Sequence, residues 1–192
     1  MGVNVTTVKI NPPVLYDKGE AISNWFQQLV AEKTGGPITK ELTPFQIRAK
    51  ICEIEQQMEE AVDNNIIYNT ANDYPIKHTF TDGAYVREMS IPAGHLIVGK
   101  IHRHEHLNFI SKGRVTVITE EGGVEELTAP VTLISPAGVK RLLFTHEDTV
   151  WTVVHVTNER DLDKIEETVI AKTYTEMGWE QPERIQLLDK KD

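Results

Sequence analysis

The sequence predicts a mainly β protein: a sandwich or closed double-stranded barrel of eight or nine short strands, preceded by two α-helices and followed by one short helix. Two observations carry this. Up to Asn64 the apolar residues recur at the spacing of amphipathic helices. Beyond it, Pro75, Gly83, Pro92, Gly94, Gly99, Gly113, Gly122-Gly123, Pro130, Pro136 and Gly138 cut β-branched runs into strand-length pieces. Many short strands of this kind pack as two sheets or close on themselves, which disposes of exposed sheet edges.

Taken in order, Val3, Val5, Val8 and Ile10 alternate weakly and run into Pro12-Pro13, so a short strand or extended arm is expected first. From about Glu20 to Lys33, Ile22, Trp25, Phe26, Leu29 and Val30 form one helical stripe, stopped by Thr34-Gly35-Gly36-Pro37. A second helix starts at Thr43, which can cap, with Pro44 at the first helical position and Gln46 placed as in a capping box. Its stripe is Ile47, Ile51, Ile54, Met58 and either Ala61 or Val62, ending at about Asp63; Cys52 rides on it as a small buried hydrophobe or a half-exposed bystander. Strands are expected near 76–80, 84–91, 96–101, 103–110, 114–119, 124–128, 131–135, 139–144 and 149–157, with Glu120 to Gly123 as a hairpin turn. A last helix begins near Glu159, carries Leu162, Ile165 and Val169, and leaves a polar tail. The chain thus divides into an arm and helical region (1–70), a barrel (71–158) and a closing helix with its tail (159–192).

Composition narrows the function. The 192 residues are 40% hydrophobic and 26% charged, ordinary for a globular chain and unlike disordered or disulfide-rich sequences. A net charge of −9 gives nothing to phosphate neutralisation, so nucleic acid is not an expected partner. Cys52 is the sole cysteine and cannot form an internal disulfide, and no apolar run reaches the roughly 20 residues of a membrane-spanning helix. The first residues, MGVNVTTVKI, lack the basic-then-apolar pattern of an export signal, which leads one to expect a cytoplasmic protein or one packaged into an assembly there.

Five of the seven histidines lie between His95 and His146, three of them in Lys100-Ile-His102-Arg-His104-Glu-His106-Leu-Asn108. On one continuous strand His102, His104, His106 and Asn108 share a face, with alternate residues about 7 Å apart. Neutral imidazoles suit zinc, iron, nickel or manganese, so a divalent metal held by His102, His104 and His106 is one reading. A metal-free polar lining is the other. On the last strand His155 shares its parity with Trp151 and Val153 and could face the same interior. His146, in Thr145-His-Glu-Asp148, reads as solvated, and Arg87-Glu88 as an exposed ion pair.

The stretch from Gly94 to Gly113 resembles the first motif of the cupin superfamily, and Pro136-Ala-Gly138 resembles the opening of its second. The resemblance implies a double-stranded β-helix barrel of the RmlC-like, jelly-roll kind, with motif histidines and a glutamate holding a metal near its mouth. Counting back from Gly113, the family's glutamate position holds His106, its second histidine position His102 and its first Lys100; three residues after Gly138 its remaining histidine is replaced by Arg141. A guanidinium cannot ligate a cation. A metal would therefore draw on His102, His104 and His106 with His155 or His146. Alternatively, Lys100, Arg141 and the histidines line a pocket for a carboxylate or phosphate.

The wider pattern IKHTFTDGAYVRE, IPAG, VGKIHRH, SKG, SPAG, EDTVW and VHVTNERDLDKIEE resembles small cupin-like proteins of tailed bacteriophages. That resemblance implies a phage origin and a cupin barrel. Amphipathic helices flanking a barrel add the expectation of a virion-associated structural or binding module whose helices mediate assembly, as a homo-oligomer or with other phage structural proteins, in the virion or otherwise in the host cytoplasm. The alternative is a small metal-dependent isomerase, lyase or oxygenase acting on a small polar substrate. No nucleophile elbow or phosphate-binding glycine loop is present.

Overall fold

A computed structural model describes residues 6–9, 28, 30–63 and 74–182 of the chain. The strands in chain order are β1 (Thr6–Lys9), β2 (Ile76–Thr81), β3 (Ala84–Ile91), β4 (His95–Val98), β5 (Ile101–His102), β6 (His106–Lys112), β7 (Arg114–Thr119), β8 (Gly123–Thr128), β9 (Val131–Ser135), β10 (Arg141–Thr145), β11 (Thr149–Val156) and β12 (Ile170–Ala171). Helix α1 (Pro44–Asp63) precedes the barrel strands; α2 (Leu162–Val169) and a 3₁₀ turn (Tyr174–Met177) follow them. The protein is mainly β, with two five-stranded antiparallel sheets ordered β1-β4-β10-β7-β8 and β2-β3-β11-β6-β9. We call them the inner-helix sheet and the open sheet. From β6 onward the chain repeatedly crosses between the two, as a double-stranded barrel does.

The core lies between the sheets. Met89, Ile91, Ile110, Trp151 and Val153 of the open sheet meet Ile97, Val115, Val117 and Leu143 of the other. A second layer explains why β4, β7 and β10 are buried in continuous runs instead of alternating. Their other face, through Leu96, Val98, Ile118, Leu142 and Phe144, is covered by Ile47, Ile51, Ile54 and Met58 of α1 and by Val30. Among the described residues the open sheet has no such cover, and β6 alternates in burial accordingly.

Helix α1 starts where its cap predicts: the Thr43 N–H donates to Gln46 Oε1 at 2.8 Å, and the Gln46 N–H donates to Thr43 Oγ1 at 3.3 Å. Two ion pairs fasten it to the barrel, Arg48–Glu120 at 2.7 Å and Lys140–Glu55 at 2.8 Å. Of the expected first helix, residues 28 and 30–33 are helical and the rest lies outside the described residues. Among the described residues no helix is long and apolar enough to cross a membrane.

Two expectations need correction. The strand expected over 103–110 begins only at His106, because residues 103–105 form a bend between β5 and β6. Residues 170–182, after α2, are no free polar tail; the rest of the expected tail lies outside the described residues. Strand β12 pairs with β5, Tyr174 is fully buried, and the Trp179 ring stacks on Tyr174 at 6.2 Å. The Arg48 guanidinium lies over both rings, 4.4 Å from Tyr174 and 4.9 Å from Trp179.

Candidate functional site

The cavity between the sheets, about 110 Å³, is closed on one side by α2. Strand register sets its layers. Nearest α2, in the open sheet, Tyr85 pairs with His155, and His106 lies alongside on β6. The next row is Arg87, Val153 and Asn108; below it Met89 and Trp151 form an apolar floor, faced by Ile97 and Leu143 from the opposite sheet. Leu162, Ile165 and Val169 of α2 supply the lid, which packs on Tyr85 and Phe80.

Of the residues singled out in the sequence, Lys100, His102, His106, Arg141 and His155 all line this cavity. These include all four positions that the cupin resemblance aligns with a metal-binding set. Three rings cluster there: His102 and His106 with centroids 4.1 Å apart, His102 and His155 at 5.1 Å, and His106 and His155 at 5.2 Å. His104 is the exception. It is exposed, since the bend at 103–105 breaks the alternation that would have carried it inward. His146 is also misread by the sequence. It is half-buried, edge-on to Phe144, with Nε2 hydrogen-bonded to Thr116 Oγ1 at 2.7 Å.

The histidines of the cluster are held neutral. Burial, then His106, His155, Arg141 and Arg87, keep His102 well below its ordinary value. Burial, then His106, Arg87 and His104, pull His155 down to about 4. Burial also lowers His106, against an opposing hydrogen bond to a backbone carbonyl. That bond runs from His106 Nδ1–H to His104 O at 3.0 Å, which leaves Nε2 as the lone-pair nitrogen of the neutral ring.

The sequence reading missed Arg87. The Arg87-Glu88 dipeptide looked like a surface pair, yet Arg87 shares the inward parity of Tyr85, Met89 and Ile91, and that signal was available. The guanidinium lies against the Met89 sulfur at 3.7 Å, and its Nε is buried without a hydrogen-bond partner. Arg141 is fixed differently. Its Nη2 donates to Ser135 Oγ at 2.6 Å, Ser135 accepts from Asn108 Nδ2, and Asn108 Oδ1 accepts from Trp151 Nε1 at 2.9 Å. Among the described residues neither Arg87 nor Arg141 has a carboxylate within ion-pair distance. The one carboxylate that lines the cavity among the described residues, Glu166, is paired with Lys100. His102 Nδ1 is likewise buried and unpartnered.

A metal does not fit this arrangement as it stands. The His102 ring lies nearly parallel to its neighbours, at 28° to His106 and 15° to His155, and two guanidiniums share the space. Among the described residues no three histidine, cysteine or acidic side chains are placed to hold one ion. The donor set suits an anion better: two guanidiniums, one amide and neutral imidazoles, with the Glu166 carboxylate paired to Lys100 and the Tyr85 hydroxyl bonded to His78.

No protein-family model matches the chain, and no curated protein does. Solved structures similar to it include an RmlC-like cupin with a double-stranded β-helix fold from Methanocaldococcus jannaschii, at 17% identity over 48% of this chain and 87% of that one, with a TM-score of 0.38. An acetylacetone dioxygenase from Acinetobacter johnsonii is similar at 19% identity over 43% of this chain and 58% of that one, with a TM-score of 0.36. An ectoine synthase from P. lautus stands at 13% identity over 42% and 62%, with a TM-score of 0.38. Cupins, enzymes among them, are thus what the barrel is similar to, and its own strand order remains the ground for the fold.

Proposed function

We propose that the barrel is a binding module for a small organic anion, whose charge is taken by Arg87 and Arg141. One observation carries this: among the described residues two inward guanidiniums have no carboxylate within ion-pair distance, and one of them has a buried unsatisfied Nε. A buried charge without a partner costs several kcal/mol, and an anion between the two groups removes that cost while satisfying the free donors. The test is isothermal titration of the full chain with acetate at low ionic strength and pH 7. Saturable binding is expected, weakened tenfold or more by Arg87→Gln and by Arg141→Gln. Absence of saturable heat with acetate, butyrate, phosphate and sulfate alike overturns the reading.

Two other readings have a specific observation each. A metal-dependent enzyme is favoured by the convergence of His102, His106 and His155, whose rings would have to turn to share an ion. Metal content of untagged protein tests it, and a content below about 0.1 per chain rejects it. A virion-associated module, assembled as a homo-oligomer or with other phage proteins, is favoured by an apolar row on the outer face of the open sheet. Val86, Val154, Leu107 and Ile134 pair in register across four strands, and Ile134 is 64% exposed. Mass spectrometry of purified virions tests that reading, and absence of the chain rejects it.

A further inference from the structure

Resting on the anion reading above, we infer that the ligand is a short aliphatic monocarboxylate of about three or four carbons, seated with its apolar end on the Trp151 floor and its carboxylate toward Arg87 and Arg141. The inference comes from how the cavity is layered. Polar and cationic groups occupy the two rows nearest α2: His106 and His155, then Arg87 and Asn108, with Arg141 entering from the opposite sheet. Below them Met89, Trp151, Ile97 and Leu143 offer no free donor, because the only polar atom there, Trp151 Nε1, is already committed to Asn108. A second charge pushed onto that floor would be desolvated without a partner, which disfavours dicarboxylates. A phosphate would satisfy the arginines and leave the floor empty.

Size sets the chain length. A cavity of 150 Å³ accepts benzene, so one of about 110 Å³ has room for roughly four to six non-hydrogen atoms. Propionate, butyrate and isobutyrate fall in that range. Each methylene laid on the floor should raise affinity about fourfold until the space is filled.

The experiment is a titration series on the full chain with formate, acetate, propionate, butyrate, pentanoate, hexanoate, succinate and inorganic phosphate at one pH and ionic strength. Affinity is expected to rise about fourfold per carbon from acetate to butyrate and to fall by hexanoate, with succinate and phosphate at least tenfold weaker than butyrate. In Leu143→Val, which removes one methylene from the floor, the optimum should move to a longer chain. If that variant fails to fold, the wild-type series still decides. Anions that bind without dependence on chain length, or phosphate or succinate binding tighter than butyrate, overturn this inference and leave the anion site standing. Failure of every anion to bind removes both.

Discussion

Replacing Arg87 by methionine should make the anion-free protein more stable while removing its affinity for anions. Methionine matches the straight stem of arginine and can lie against Val153 in its own row and Met89 in the row below. What it deletes is a buried guanidinium whose Nε has no partner. Leaving such a donor unsatisfied costs about 1–3 kcal/mol, and buried charged groups replaced by apolar ones of similar volume often give a gain of that size. Against this stands the loss of attraction to Tyr85 and Glu166, which oppose the lowering that burial imposes on Arg87. The net expectation is a gain of about 1–2 kcal/mol, read as a rise in Tm of roughly 3–6 °C for a chain of this size. The assay is urea unfolding of both proteins in anion-poor buffer, repeated with 50 mM butyrate. Wild type should gain stability from butyrate and the variant should not. A variant destabilised by more than 1 kcal/mol without ligand, and still stabilised by butyrate, would refute the reasoning, because Arg87 would then be a satisfied structural group.

The remaining predictions concern the frame around the cavity. Glu120→Ala leaves Arg48 buried without its bidentate partner and should cost about 3 kcal/mol, whereas the double variant Arg48→Met with Glu120→Leu should recover most of that loss in urea unfolding. Gly138 has φ +82°, and a Cβ there would sit 2.3 Å from the Trp179 ring, so Gly138→Ala should cost about 2–3 kcal/mol; adding Trp179→Ala should relieve the clash but not the backbone strain. Stability should fall on acidification. His155 and His146 are held near 4 in the fold against 6.5 in the unfolded chain, so the unfolded chain binds more protons between those values. Their contribution is complete above about pH 6.5 and is lost as pH falls toward 4. For His155 this amounts to about 2 kcal/mol between pH 7.5 and 5, and a flat stability profile over that range would contradict it.

How much of this was legible in the sequence depends on whether local chemistry or tertiary contact decided each feature. The start of α1 was fully written in Thr43, Pro44 and Gln46, because a capping box is a local interaction, and the structure makes both of its hydrogen bonds. The shared parity of Trp151, Val153 and His155 allowed a histidine facing the interior, and because β11 runs unbroken through all three, alternation carries His155 there. The same rule failed at His104, where the chain bends between β5 and β6 and nothing in Arg103-His104-Glu105 announces the bend. It was available and unused at Arg87, where neighbouring charges suggested solvent although Tyr85 and Met89 marked the buried face. The burial of Tyr174 and the stacking of the exposed Trp179 ring on it were not legible at all, because they depend on Arg48, far away in sequence, arriving over both rings.

The central claim, that Arg87 and Arg141 together receive an anion, is tested most directly by following the arginine side-chain Nε–Hε resonances of ¹⁵N-labelled protein during titration with butyrate. Two resonances, assigned through Arg87→Met and Arg141→Gln, should shift to saturation with one common midpoint, while those of the other arginines stay in place. Unmoved Arg87 and Arg141 signals at saturating butyrate would contradict the account.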